Sequence, residues 1–151
     1  SELVRTACAL YAPRYQEKAV RLDDRCHDDH EIFVLVDRDR MQQVLGNLLE
    51  NALRHTPAGG TVSVRCRHQG HNVAISITDT GVGIASDELG RVFHRFQRLD
   101  NSRQSDSGGS GLGLTIARAL VRSQNGDLTA HSDGPGTGST FTIRLPSAGL
   151  R

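Results

Sequence analysis

The chain has 151 residues, 36% of them hydrophobic and 23% charged, with a formal net charge of +1. That suffices for one domain with a real core, and it excludes both a membrane-embedded chain and a disordered one. The near-neutral charge, four Phe, two Tyr and absence of Trp exclude a broad basic patch with base-stacking aromatics, so no nucleic acid partner is expected.

The longest apolar run, Ile32-Phe33-Val34-Leu35-Val36, falls far short of the roughly 20 residues of a membrane span, and no basic stretch leading into an apolar one opens the chain. No direct membrane contact by this domain is expected. Cys8, Cys26 and Cys66 are odd in number, well separated and never in a CxxC pair. They read against structural zinc and a disulfide framework, and for a reducing, cytosolic setting. Lys18 is the only lysine among eighteen basic residues and has no glycine near it. A P-loop and a eukaryotic-type kinase each need a lysine in a specific context, so both are excluded.

Taken in order, Leu3, Ala7, Leu10 and Tyr11 mark one face of a helix that runs to Pro13 and resumes over residues 15–19. Residues 20–22 and 32–36 read as strands across a polar turn. Residues 37–55 carry the strongest helical pattern. Asp37 or Asp39 can cap it, and Met41, Val44, Leu45, Leu48, Leu49, Ala52 and Leu53 form one stripe. Strands over 61–67 and 72–78 follow, joined by Gln69-Gly70-His71, then a glycine-punctuated turn at 79–83 and a short helix near 87–93. Residues 98–110 hold almost nothing apolar, as in a functional lid or a disordered loop. A helix over 112–125 and strands over 127–131 and 139–145 complete a two-layer α+β sandwich with a mixed sheet.

Four places could carry chemistry. On the 37–55 helix, Asn47, Asn51 and Arg54 share a face with Glu50 and His55 nearby. That face is either a solvated one with a Glu50/Arg54 pair or a polar ligand surface, an Asn carbonyl being a suitable neutral ligand for Mg²⁺. Asp79 continues the apolar side Val73, Ile75, Ile77 of its strand. It either closes an Asx-turn on Thr80-Gly81 or accepts from a ligand amino group, with Gly81 and Gly83 letting a flat ligand approach. Gly108-Gly109-Ser110-Gly111-Leu112-Gly113-Leu114 enters a helix and is either a hinge or a nest of amides for phosphate, with Arg91, Arg95, Arg98 and Arg103 nearby. Gly136-Thr137-Gly138-Ser139-Thr140-Phe141 is, alone, a glycine turn entering the last strand.

In this order the segments resemble the catalytic, ATP-binding domain of two-component sensor histidine kinases. Asn47 to Thr56 is similar to the family's N box, Asp79 to Ile84 to its first glycine box, and Val92-Phe93-His94-Arg95-Phe96 to its phenylalanine box. Gly109 to Leu114 is similar to the second glycine box, and Gly136 to Phe141 to the glycine-rich motif before the last strand, so the likeness spans about residues 37 to 145. The arginine-rich composition suggests an actinobacterial kinase, and the likeness is taken as one to the PrrB type.

The resemblance implies a Bergerat (GHKL) fold over 1–151 with an ATP lid near 97–111, and ATP and Mg²⁺ as cofactors. It implies that Asp79 accepts from the adenine amino group with Gly83 near the base, that Gly81, Ile84 and Phe93 also belong to the ATP site, and that Thr140 lies near Asp79 behind the adenine. Asn51 would ligate Mg²⁺, Asn47 and Arg54 would hold the phosphates, His55 would flank the nucleotide and Arg98 would meet the transferred phosphate. Gly109, Gly111 and Gly113 would free the lid and present amides to the phosphates, and Ser110, Leu112 and Leu114 would also belong to the ATP site. The implied partners are the protein's own dimerisation and phosphoacceptor domain and a response regulator, in a membrane-anchored parent with this domain cytoplasmic.

None of the seven histidines sits in the His-Glu-Leu-Arg/Lys-Thr-Pro-like context of a phosphoacceptor, since His30-Glu31 runs into Ile32-Phe33. The expectation is a domain that binds ATP without phosphorylating itself. Rival readings are a water-activating ATPase of the same superfamily, a non-catalytic ATP sensor and, from Asp79-Thr80-Gly81, an aspartic protease. The first needs a glutamate where Asn47 stands, and an amide is no general base.

Overall fold

A computed structural model describes residues 1–26, 32–94 and 112–148. The elements are α1 (Glu2–Lys18), β1 (Arg21–Asp24), α2 (Arg38–His55), β2 (Thr61–Gln69), β3 (Asn72–Asp79), α3 (Ser86–Leu89), α4 (Gly113–Arg122), β4 (Asp127–His131) and β5 (Ser139–Pro146). The strands form one sheet in the order β1-β2-β3-β5-β4, with β1 parallel to β2 and the other pairs antiparallel.

Alternation along the strands builds two layers. Val62, Val64, Val73, Ile75, Ile77, Leu128, Phe141, Ile143 and Leu145 are buried, and α2 packs on β3, α1 on β1 and α4 on β4. The opposite face carries hydroxyl pairs, Ser76 with Thr142 at 3.3 Å and Thr78 with Thr140 at 3.0 Å, beside exposed Arg65, Arg67 and Arg144.

α2 follows its pattern closely. The Asp37 carboxylate accepts from the Arg40 amide at 3.0 Å as the N-cap, and the whole expected stripe is buried. At the other end Lys18 Nζ donates to the carbonyls of Leu53 (2.6 Å) and Arg54 (3.3 Å). The lone lysine thus puts a cation where the helix dipole is negative and carbonyls lack partners.

Four expectations are corrected. α1 is one helix that continues through Pro13, and its buried face is Val4, Ala7, Cys8 and Tyr15, with Leu10 68% exposed. The Tyr15 hydroxyl donates to the Leu49 carbonyl at 2.6 Å, anchoring the turn after the proline to α2. Residues 32–36 alternate like a strand, with Phe33 and Leu35 outward, but among the described residues they make the isolated bridge Val34–Ser147 and no ladder. The helix expected near 87–93 is the single turn α3, followed by turns. Finally, Cys26 and Cys66 form a disulfide with Cα atoms 5.1 Å apart, leaving Cys8 buried and free, its thiol pushed up to about 12 by burial and then by Asp24. Spacing along the chain is blind to this pairing. The parallel register sets Asp24 level with Val64, which brings Cys26 level with Cys66.

Candidate functional site

The polar edge of α2, the end of β3, two glycine turns and the start of α4 meet at one end of the sheet. Hydrogen bonds join them. Asn47 Nδ2 donates to the Gly113 carbonyl at 3.2 Å, and the Val82 amide donates to the His55 carbonyl at 3.1 Å. The Gly136 amide donates to Val82 (2.7 Å) and the Gly138 amide to Gly81 (3.1 Å).

Glycine is required where these turns touch. Gly83 has φ +71° and a Cβ there would overlap the Gly134 carbonyl oxygen. Gly138 has φ +74° and a Cβ there would overlap the Asp79 carbonyl oxygen. Both need the left-handed region and a missing side chain together.

Asp79 is 3% exposed on the helix side of the sheet. Its Oδ1 accepts from the amides of Gly81 (2.8 Å) and Ser139 (3.3 Å), and its Oδ2 from the Ser139 hydroxyl (2.6 Å). The Asx-turn therefore exists, yet a carboxylate offers about four lone-pair sites and three donors leave room for another. Such burial also keeps the carboxylate of a second copy away, and a shared-proton protease dyad with it.

On α2, Asn47, Asn51 and His55 are half-buried and Arg54 is exposed. Glu50 pairs with Arg14 at 3.5 Å rather than with Arg54. Burial, and then the Arg54 charge, holds the His55 imidazole below its ordinary value, with Asp79 opposing and Lys18 adding. Among the described residues no three His, Cys, Asp or Glu side chains cluster to hold a metal ion.

Phe93 packs edge-on against Phe141 (6.1 Å between centroids), lies 4.7 Å below the Arg118 guanidinium, and its carbonyl accepts from the Thr115 hydroxyl at 2.7 Å. Ile84 is buried and Leu114 packs on the core. Leu112 and Gly113 begin α4 as expected. Arg95, Phe96, Arg98, Arg103, Gly109, Ser110 and Gly111 lie outside the described residues.

One assignment is corrected. Thr140 pairs with Thr78 on the sheet face turned away from the helices, so its side chain is not beside Asp79. Ser139, directly across from Asp79 in the β3–β5 register, takes that place. Period-two counting from Phe141 would have found Ser139 on the inner face. Ser132, whose hydroxyl contacts both glycine turns, left no signal in the sequence.

A profile of the family "Histidine kinase-, DNA gyrase B-, and HSP90-like ATPase" matches residues 36–149. The sensor-like histidine kinase SenX3 of Mycolicibacterium smegmatis is 43% identical over 113 residues, 75% of this chain and 29% of the relative, so the chain spans under a third of that protein. Among solved structures, the mycobacterial sensor histidine kinase MprB superposes with a TM-score of 0.82 at 28% identity over 97% of this chain and 94% of MprB. Full-length ShkA in complex with AMPPNP superposes with a TM-score of 0.83 at 29% identity over 97% of this chain and 30% of ShkA. With a buried acceptor facing amide-rich turns and an asparagine-bearing helix, the chain belongs to the histidine kinase-, DNA gyrase B- and HSP90-like ATPase family, as a catalytic domain of the sensor histidine kinase type.

Proposed function

We propose that this domain binds ATP at the end of the sheet and, within a longer sensor kinase, donates its γ-phosphate to a histidine on a separate dimerisation domain, for onward transfer to a response regulator. The observation that carries the reading is Asp79, a buried carboxylate held by three donors with acceptor capacity left for an adenine amino group. Gly81, Gly83 and Ile84 shape the wall beside it and Phe93 closes the apolar side. His55 flanks the nucleotide, while Asn47 and Arg54 hold the phosphates.

Asn51 would hold Mg²⁺, which when bound neutralises phosphate charge. Phosphoryl transfer asks chiefly for positioning and charge stabilisation, and these side chains supply both. Asn47 has its amide on the Gly113 carbonyl and no basic atom to activate water, which favours transfer over hydrolysis. Arg98, Gly109, Ser110 and Gly111 keep the phosphate-facing roles that the family likeness gives them. The parent is a bacterial membrane protein with this domain on its cytoplasmic side.

Calorimetric titration of the chain with ATP, with and without Mg²⁺, and with GTP tests the reading. The expected result is adenine-selective binding strengthened by Mg²⁺. A folded domain that binds neither nucleotide overturns it.

A further inference from the structure

The two glycine turns beside Asp79 are cross-linked by backbone bonds and also by one side chain. Ser132, just after β4, accepts from the Ile84 amide at 3.0 Å and donates to the Gly138 carbonyl at 2.7 Å, with the Gly134 amide 3.3 Å away. A hydroxyl has one donor and two acceptor sites, so these three partners use all of them. Ile84 ends the first turn and Gly138 ends the second, and each turn carries a donor to the same carboxylate. The first presents the Gly81 amide to Asp79 Oδ1, and the second leads into Ser139, which meets both Asp79 oxygens.

We infer that Ser132 is a positioning residue for base recognition, its hydroxyl fixing the spacing of the two glycine turns and through them the orientation of Asp79. This rests on the nucleotide reading above. Without the hydroxyl the Ile84 amide and the Gly138 carbonyl lose their shared partner. The turns then stay joined by the Gly136–Val82 and Gly138–Gly81 backbone bonds and, through Asp79, by the Gly81 and Ser139 donors to its carboxylate. Adenine, which is read by Asp79, suffers from that loosening, whereas a guanine ring that never gained from Asp79 loses little.

The test is calorimetric titration of wild type, Ser132→Ala, Ser132→Cys and Asp133→Ala with ATP and with GTP, alongside thermal unfolding of each. Among the described residues Asp133 pairs only with His131, at the surface, and its variant should bind as wild type. Ser132→Ala should weaken ATP about fivefold to tenfold, the scale of one or two lost hydrogen bonds, and lower the ATP-over-GTP preference by a similar factor. Ser132→Cys, with a weaker donor and acceptor of similar size, should fall between. A folded Ser132→Ala with unchanged preference overturns the inference, as does an equal loss for both nucleotides, which general loosening would give. If Ser132→Ala does not fold, the same ratio in Ser132→Cys decides. Absence of ATP binding by wild type overturns the nucleotide reading itself and the inference with it.

Discussion

Replacing Asp79 by Asn isolates the acceptor on which base recognition rests. Two backbone amides point at Oδ1, so the amide NH₂ of Asn cannot take that position without facing donors. It must take the Oδ2 position, where the Ser139 hydroxyl at 2.6 Å can rotate from donor to acceptor. The fold therefore loses little, about 1 kcal/mol for one weakened bond. An adenine amino group fares worse, because it now meets a donor in place of a charged acceptor. Loss of a charge-assisted bond, worth about 1.5–3 kcal/mol, together with a desolvated and unpaired donor gives roughly 3 kcal/mol, or about a hundredfold in dissociation constant. Calorimetry with ATP on wild type and Asp79→Asn reads the affinity, and a thermal melt shows that the variant is folded. ATP binding within about threefold of wild type by folded Asp79→Asn would refute the argument.

Other consequences are as direct. His55 titrates below its ordinary 6.5 because of burial and then Arg54, so below that pH the unfolded chain takes up a proton the folded one resists. Stability should be full above pH 6.5 and decline as pH falls, and His55→Gln should flatten that decline; an identical slope in denaturant titrations across pH counts against the burial argument. Lys18→Met removes the cation from the C-terminal carbonyls of α2 and should cost about 1 kcal/mol, lowering the melting temperature by about 2–4 °C. Reducing the Cys26–Cys66 bridge, which spans 40 residues, should cost about 4 kcal/mol by the chain-entropy account, and a melting temperature indifferent to reductant would show the bridge adds nothing. The isolated chain incubated with Mg-ATP should carry no acid-labile phosphohistidine, and its appearance would show an acceptor within these residues.

Much of the fold was legible because its signals are local. The stripe from Met41 to Leu53 has a helical period and a capping Asp37, and strands β2 and β5 alternate cleanly about glycine turns. Where the reading slipped, the deciding partner was distant. Residues 32–36 have strand alternation, yet among the described residues only Ser147 forms a β-bridge with them. α1 presents apolar residues around more than one side, so packing chose Val4 and Cys8 inward and left Leu10 outside.

The sequence by itself determined the long helix α2, the strands β2, β3 and β5, the place of Asp79 on the inner face and the glycines that bracket it, because helix and strand periods and turn chemistry are properties of neighbouring residues. Tertiary structure decided which hydroxyls reach the carboxylate and which cysteines pair. Register across strands puts Ser139 rather than Thr140 against Asp79, and β1 beside β2 puts Cys26 against Cys66. It also decided that Ser132, 48 positions from Ile84, closes the turns on each other. Such contacts depend on how elements are laid side by side, and no period within one element encodes that.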